Sequence, residues 1–203
     1  QLNYKGTVAI APASNLASIL TIGEQQASTL PINYQIQMLA QLDTYTALIV
    51  AGMQGHNKSV TYNEVFKNDT VILAPIAEAE CSSTVGVQLG TAMSIYAAGI
   101  GQGTLTGYGR LQSGFMSIPV IDTFLKKDSQ PGLAPLNKKV FIYQGEADTT
   151  VPKAATDLLI ASMKANGTSA SNIQYTTSAA WDHGTVYTQN YTSFVDNIDS
   201  LFQ

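Results

Sequence analysis

Lys139-Val-Phe-Ile-Tyr-Gln-Gly145 runs directly into Glu-Ala-Asp148-Thr-Thr-Val-Pro152. The apolar run closed by glycine reads as a strand, and Pro152 suits the first turn of a helix extending to Asn166, with Gly167 as its C-terminal cap. Ala155, Leu158, Leu159 and Met163 form the apolar stripe of that helix. Asn172 to Thr177 is a second strand, with Ile173 and Tyr175 alternating. From about Val186 a final helix carries Tyr187, Tyr191, Phe194, Val195, Ile198, Leu201 and Phe202 on one face, its aromatics reading as packing residues. The last third therefore has a β–α–β–α order, the grammar of a parallel sheet with helical crossovers.

Upstream, Thr7-Val-Ala-Ile-Ala-Pro12 reads as a third strand, buried on both faces, and Ser14 or Asn15 is placed to cap the next element. From Leu30 to Lys127 strand alternation disappears. Leu39, Leu42, Tyr45, Thr46, Leu48, Ile49 and Met53 fall at helical spacing, Val87 to Ala98 suggests another helix, and Ile118 to Lys127 a third. The Gly101-Gln-Gly-Thr-Leu-Thr-Gly107 stretch misses the Gly-x-Gly-x-x-Gly spacing and comes after no strand, which argues against nucleotide binding.

Composition narrows the functional classes. A chain of 203 residues can bury a full core, and 45% hydrophobic residues argue against disorder. Charged residues make up only 12%, about half the usual share, so Ser, Thr, Asn, Gln and Gly must cover much of the surface. The net charge, 10 − 14 = −4, argues against a nucleic-acid partner because nothing here neutralises a run of phosphates. One cysteine and two histidines exclude zinc-finger and iron–sulfur sites. Cys81 has no partner for a disulfide within the chain. Asn57, Asn68, Asn166 and Asn190 each fit the N-glycosylation pattern. The uncharged stretch between Glu80 and Arg110 carries too many polar residues for a membrane span of about 20 apolar positions. The chain opens at Gln1 without a signal peptide, so a processing site or cut is expected there, and the composition suggests an extracellular or periplasmic protein.

Chemistry concentrates in two places. Asp148 lies just past the strand ending at Gly145, and His183 lies past the next strand, in Trp-Asp-His-Gly. Their separation of 35 residues accommodates one helix and one strand, so both emerge on the carboxyl rim if the strands are neighbours. An aspartate orienting a histidine is half of a Ser-His-Asp machine. Each has a bland reading beside it: His183 as a structural histidine, Asp148 as a cap of the helix near Pro152. Glu146 and Asp182 are rival orienters, Glu146 off the motif position and Asp182 too close to reach round the ring. His56 reads as a solvated loop residue.

The Gly145-Glu-Ala-Asp148-Thr-Thr-Val-Pro152 turn resembles the acid turn of α/β-hydrolases, and Asp182-His183 resembles their histidine loop. Within that fold the chain resembles secretory lipases of the fungal lipase-A type, also found in bacteria. That likeness rests on Gly6-Thr-Val-Ala-Ile-Ala-Pro-Ala-Ser-Asn15 as the strand after the nucleophile helix, on the helical insertion before the acid, and on Pro131-Gly132 leading into Val140-Phe-Ile-Tyr-Gln-Gly145. It covers nearly the whole chain but only the C-terminal half of such an enzyme. The fold it implies is the C-terminal portion of an α/β-hydrolase sheet, formed by residues 1–29 and 128–203, with 30–127 as a helical lid or cap and the N-terminal strands missing from this chain.

The chain departs from that pattern in one large respect: it contains no Gly-x-Ser-x-Gly. The resemblance therefore implies a serine hydrolase of carboxylic esters, lipase- or esterase-like, in which this chain supplies Asp148 and His183. The nucleophile serine would lie on a preceding segment of the same precursor, which is the expected partner alongside a lipid or ester substrate. Cys81 would be available to bridge to that partner. Neither a metal nor an organic cofactor is expected. The competing expectations are a cap-bearing peptidase of the same fold and a catalytically inactive hydrolase fold used for binding.

Overall fold

The computed structural model describes residues 3–203. The chain forms two compact units, one made of the chain up to Ile19 together with Leu125–Gln203, the other of Leu20–Phe124.

The first unit is built on three parallel strands, β1 (Gly6–Ile10), β2 (Lys139–Gly145) and β3 (Ile173–Ser178), in the order β1-β2-β3. Gly6 pairs with Lys139 and Gly145 with Ser178, so β2 and β3 end together. Alternation along β2 divides the core into two layers. Phe141 and Tyr143 pack with Ala11, Val186 and Phe194. Val140 and Ile142 pack with Leu159, Ile160 and Met163 of α7 (Lys153–Ala165). Both faces of β2 are thus covered, as a parallel strand requires. β1 behaves differently from the expectation of a strand buried on both faces. All five of its residues are half-buried, because among the described residues it pairs on one side only and forms a sheet edge.

The chain leaves β1 for α1 (Leu16–Ala27), which passes from the first unit into the second. Asn15 adopts a left-handed φ of 52° and its backbone carbonyl accepts the first bonds of α1, while its side-chain amide donates to the Ala155 carbonyl at 2.9 Å.

The final helix expected from Val186 onward is two helices, α8 (Thr185–Thr188) and α9 (Tyr191–Ser200). The break falls at Asn190, a buried residue whose side-chain amide donates to the Val186 carbonyl at 2.9 Å and competes with the helical ladder. Phe194 is the buried aromatic; Tyr187, Tyr191 and Phe202 are largely exposed, although Tyr187 keeps ring contacts with Tyr191 and Phe194, so their reading as packing residues holds only in part.

The second unit is helical. Its frame is the long α2 (Ile32–His56) against α5 (Ser82–Ala98), with α3 (Tyr62–Val65) and α4 (Asn68–Leu73) between them in the chain. α2 buries Ile36, Leu39, Ala40, Leu42, Ala47, Val50 and Met53, whereas Leu48 faces solvent. His56 is the exposed last residue of α2 rather than a loop residue. The Gly101–Gly107 loop folds back on the end of α5, with Gly101 and Gly103 donating their amides to the carbonyls of Tyr96 and Ala97. The helix expected over 118–127 is a short α6 (Pro119–Thr123) continued by a π-helical turn, Phe124–Asp128. Among the described residues no helix is long and apolar enough to cross a membrane.

The helical unit holds a buried charge cluster. Arg110 donates to both oxygens of Asp43 at 2.9 and 2.6 Å and to both oxygens of Glu24 at 3.1 and 2.7 Å. Asp43 is fully buried and Arg110 nearly so. Burial raises the Asp43 carboxyl to about 6 against the pull of Arg110. Burial alone would lower the guanidinium, but the two carboxylates push it further up. Arg110→Met strands the Asp43 charge, and we expect a loss of about 3–5 kcal/mol in urea melts near neutral pH. A carboxyl whose folded pKa stands above its unfolded value stabilises below the unfolded value and loses that contribution as pH rises through the folded one. The deficit in Arg110→Met should accordingly shrink as pH falls towards 5, where Asp43 escapes by taking a proton. A deficit that does not depend on pH would contradict this account.

Candidate active site

Side by side, the carboxyl ends of β2 and β3 launch the two loops that carry Asp148 and His183, and backbone bonds knit those loops together. Glu146 donates its amide to the Ser178 carbonyl at 3.0 Å, and Ala147 donates to the Trp181 carbonyl at 3.1 Å. Gly145 makes this approach possible. A Cβ there would press into the Trp181 carbonyl and lie within 3.0 Å of the Asp182 oxygen.

Asp148 divides its carboxylate between two tasks. Oδ1 accepts from the amides of Thr150 and Val151, both at 2.8 Å, and so closes the turn into α7. Oδ2 lies 2.9 Å from His183 Nδ1. The capping role and the histidine-facing role are therefore both present, one on each oxygen. The Asp148 side chain is fully buried, while the His183 side chain remains 47% exposed. The bond to Asp148 raises the His183 pKa above its ordinary value, opposed by partial burial.

The two rival acids are engaged elsewhere. Glu146 accepts from the Thr177 hydroxyl at 2.8 Å. One carboxylate oxygen of Asp182 accepts from the Gly184 and Thr185 amides and from the Thr185 hydroxyl, which holds the histidine loop in shape and keeps that carboxyl below its usual range. The Trp181 indole donates to Gln189 at 3.1 Å, pinning the same loop to the end of α8.

One further residue meets the acid from inside, backed by a second. Gln144, fully buried at the end of β2, points its amide nitrogen at Asp148 Oδ2 at 3.2 Å and at the Val151 carbonyl at 2.9 Å. Its oxygen accepts from the Thr156 hydroxyl of α7 at 2.6 Å. Sequence reading takes Gln144 only as part of a strand. The available signal is a long polar side chain closing an otherwise apolar run immediately before the acid turn, which has to find partners if buried. Among the described residues no three His, Cys, Asp or Glu side chains gather to hold a metal ion.

No family model and no curated protein matches this chain. Among solved structures it matches one from Legionella pneumophila subsp. pneumophila str. Philadelphia 1, described as a "putative hydrolase", with a TM-score of 0.64 and 12% identity. The match covers 97% of this chain and 48% of the other, so the chain spans about half the length of that structure. The likeness is one of fold: a mixed helix-and-sheet architecture with a small parallel sheet.

This geometry makes two outcomes measurable. Asp148→Asn removes the charge that holds a proton on the ring, so the His183 titration monitored by NMR should move down towards about 6.5. The pair's contribution to stability, complete below that ordinary value and lost as pH rises through the raised one, should disappear with it. An unmoved midpoint would show that the Asp148 charge does not act on the ring. Gly145→Ala should push the Trp181–His183 loop off the end of β2, lower stability by about 1–3 kcal/mol and shift the Trp181 indole resonance. Wild-type indole and His183 signals in that variant would count against the close approach.

Proposed function

We propose that the chain is the C-terminal part of an α/β-hydrolase that cleaves carboxylic esters of the lipase or esterase class by a Ser-His-Asp mechanism. The observation that carries this reading is the buried Asp148 carboxylate 2.9 Å from Nδ1 of a half-exposed His183, beyond adjacent parallel strands. With Nδ1–H engaged by Asp148, the neutral ring keeps its lone pair on Nε2, on the far side of the imidazole. His183 then takes the proton of an attacking hydroxyl at Nε2 and returns it to the departing alcohol, while Asp148 holds the tautomer and stabilises the imidazolium. The sequence has no Gly-x-Ser-x-Gly, so the nucleophile belongs to a preceding segment of the same precursor. The half-buried edge of β1, paired on one side only among the described residues, supports that partner, because a sheet edge can take up further strands. The helical residues inserted between β1 and β2 are read as the cap of such an enzyme. The low charge content supports an extracellular or periplasmic setting.

The test uses the complete polypeptide with the segment encoded before Gln1. It should hydrolyse p-nitrophenyl acyl esters, and a fluorophosphonate should label a serine outside residues 1–203. Asp148→Asn should lower kcat by about 10⁴-fold, since it presents the wrong tautomer. Preference for amino-acid amides would replace the esterase reading by the peptidase one. Undiminished turnover in Asp148→Asn would refute the mechanism, and absence of labelling would favour an inactive hydrolase fold.

A further inference from the structure

Four donors converge on the two oxygens of Asp148: the amides of Thr150 and Val151 on Oδ1, and Gln144 Nε2 and His183 Nδ1 on Oδ2. The turn bonds alone fix one oxygen and leave the carboxylate plane free to swing about it. Gln144 is what restrains the second oxygen on the side away from the ring. We infer that Gln144 and Thr156 are positioning residues, the Gln144 carboxamide aiming Asp148 Oδ2 at His183 and the Thr156 hydroxyl fixing which end of that carboxamide faces the acid. This inference rests on the reading of Asp148 and His183 as the acid and base of the site.

The orientation of the carboxamide is dictated by its surroundings. Its two ends have nearly the same shape, so partners decide which is nitrogen. On one side lie three acceptors: Asp148 Oδ2 at 3.2 Å, the Val151 carbonyl at 2.9 Å and the Gly145 carbonyl at 3.1 Å. On the other lies the Thr156 hydroxyl at 2.6 Å. Turning the group over would set an amide oxygen against a carboxylate and two carbonyls in a site without water access, where Gln144 and Thr156 are both fully buried. The hydroxyl supplies the donor that the correct orientation needs. The chain of contacts runs from the interior of α7 to the rim: Thr156 donates to Gln144, Gln144 donates to Asp148, and the His183 ring donates to the same carboxylate from the other side.

The test compares Gln144→Leu, Thr156→Val and Thr156→Ser by NMR titration of His183 in the full polypeptide, with kcat and KM measured on an acyl ester. In Gln144→Leu and Thr156→Val the carboxylate swings off the ring, so the His183 midpoint should fall towards that of Asp148→Asn. Thr156→Ser, which keeps the hydroxyl, should restore it. Turnover should change in step, with kcat down about tenfold and KM unchanged in the first two variants. Valine has the shape of threonine, so Thr156→Val keeps the comparison open if Gln144→Leu does not fold. A His183 midpoint that stays put or rises in folded Thr156→Val shows that the acid keeps its aim without this support, and overturns the inference. The titration needs no turnover, so an inert enzyme with the expected shifts would count against the ester-hydrolase reading and leave this assignment standing.

Discussion

The end-to-end alignment of β2 and β3 is the constraint from which the candidate site derives. Parallel pairing in register brings Gly145 level with Ser178, and the residues beyond them have nowhere to go but across one another. A side chain on Gly145 would keep the two loops apart; without one, the Trp181 carbonyl comes down onto the end of β2 and takes the Ala147 amide. His183 is two residues further on and Asp148 one residue past Ala147. Their separation is therefore set by backbone, with the side chains adjusting last. This is why a residue with no functional group decides where the functional groups meet.

Two buried aspartates in this chain show two ways of holding a negative charge. Asp43 is matched by a guanidinium that grips both of its oxygens and shares its fork with Glu24. Such an ion pair is locked, and the charge is neutralised by its partner. Asp148 is held by neutral donors, three of them amide N–H groups, and among its described hydrogen-bond partners the chargeable one is His183. Neutral dipoles stabilise the carboxylate without cancelling it. Its field is left to act on the imidazole, which is what the assistance of an imidazolium requires. An arginine in place of Gln144 would anchor the acid more strongly and deprive the histidine of its counter-charge.

Much of the first unit was legible in the sequence because short-range rules and tertiary demands agree there. The strand at 139–145, the helix after Pro152 and the alternation around Ile173 and Tyr175 all carry their own local signal. Asp148 and His183 could be placed on one rim on the condition that their strands are neighbours, which the pairing of β2 with β3 meets. The misses fall where a polar side chain overrides a pattern or where burial depends on a neighbour. Asn190 turns one predicted helix into two by taking a carbonyl from the ladder. β1 has the composition of a central strand, yet it lies at an edge among the described residues. Gln144 looks like a strand terminus, because its partners Thr156 and Asp148 are remote in space until the fold is known. In the helical unit, periodicity found α2 and α5, but small residues such as Ala40 and Ala47, rather than Leu48, turned out to fill the buried face.

A burial gradient runs across the candidate pair. Gln144, Thr156 and Asp148 are sealed from solvent, whereas the His183 side chain is about half open. A charge change on the ring is therefore partly hydrated, while the charge that steers it is not. Water can supply or remove a proton at the outer nitrogen, yet it cannot compete for Asp148 Oδ2, whose lone pairs are already taken. Proton traffic is thus confined to one end of the imidazole by the saturation of the other. In the proposed mechanism a base must accept and then release the same proton within one cycle, and this asymmetry, set by hydrogen-bond counting at a single carboxylate, suits that task.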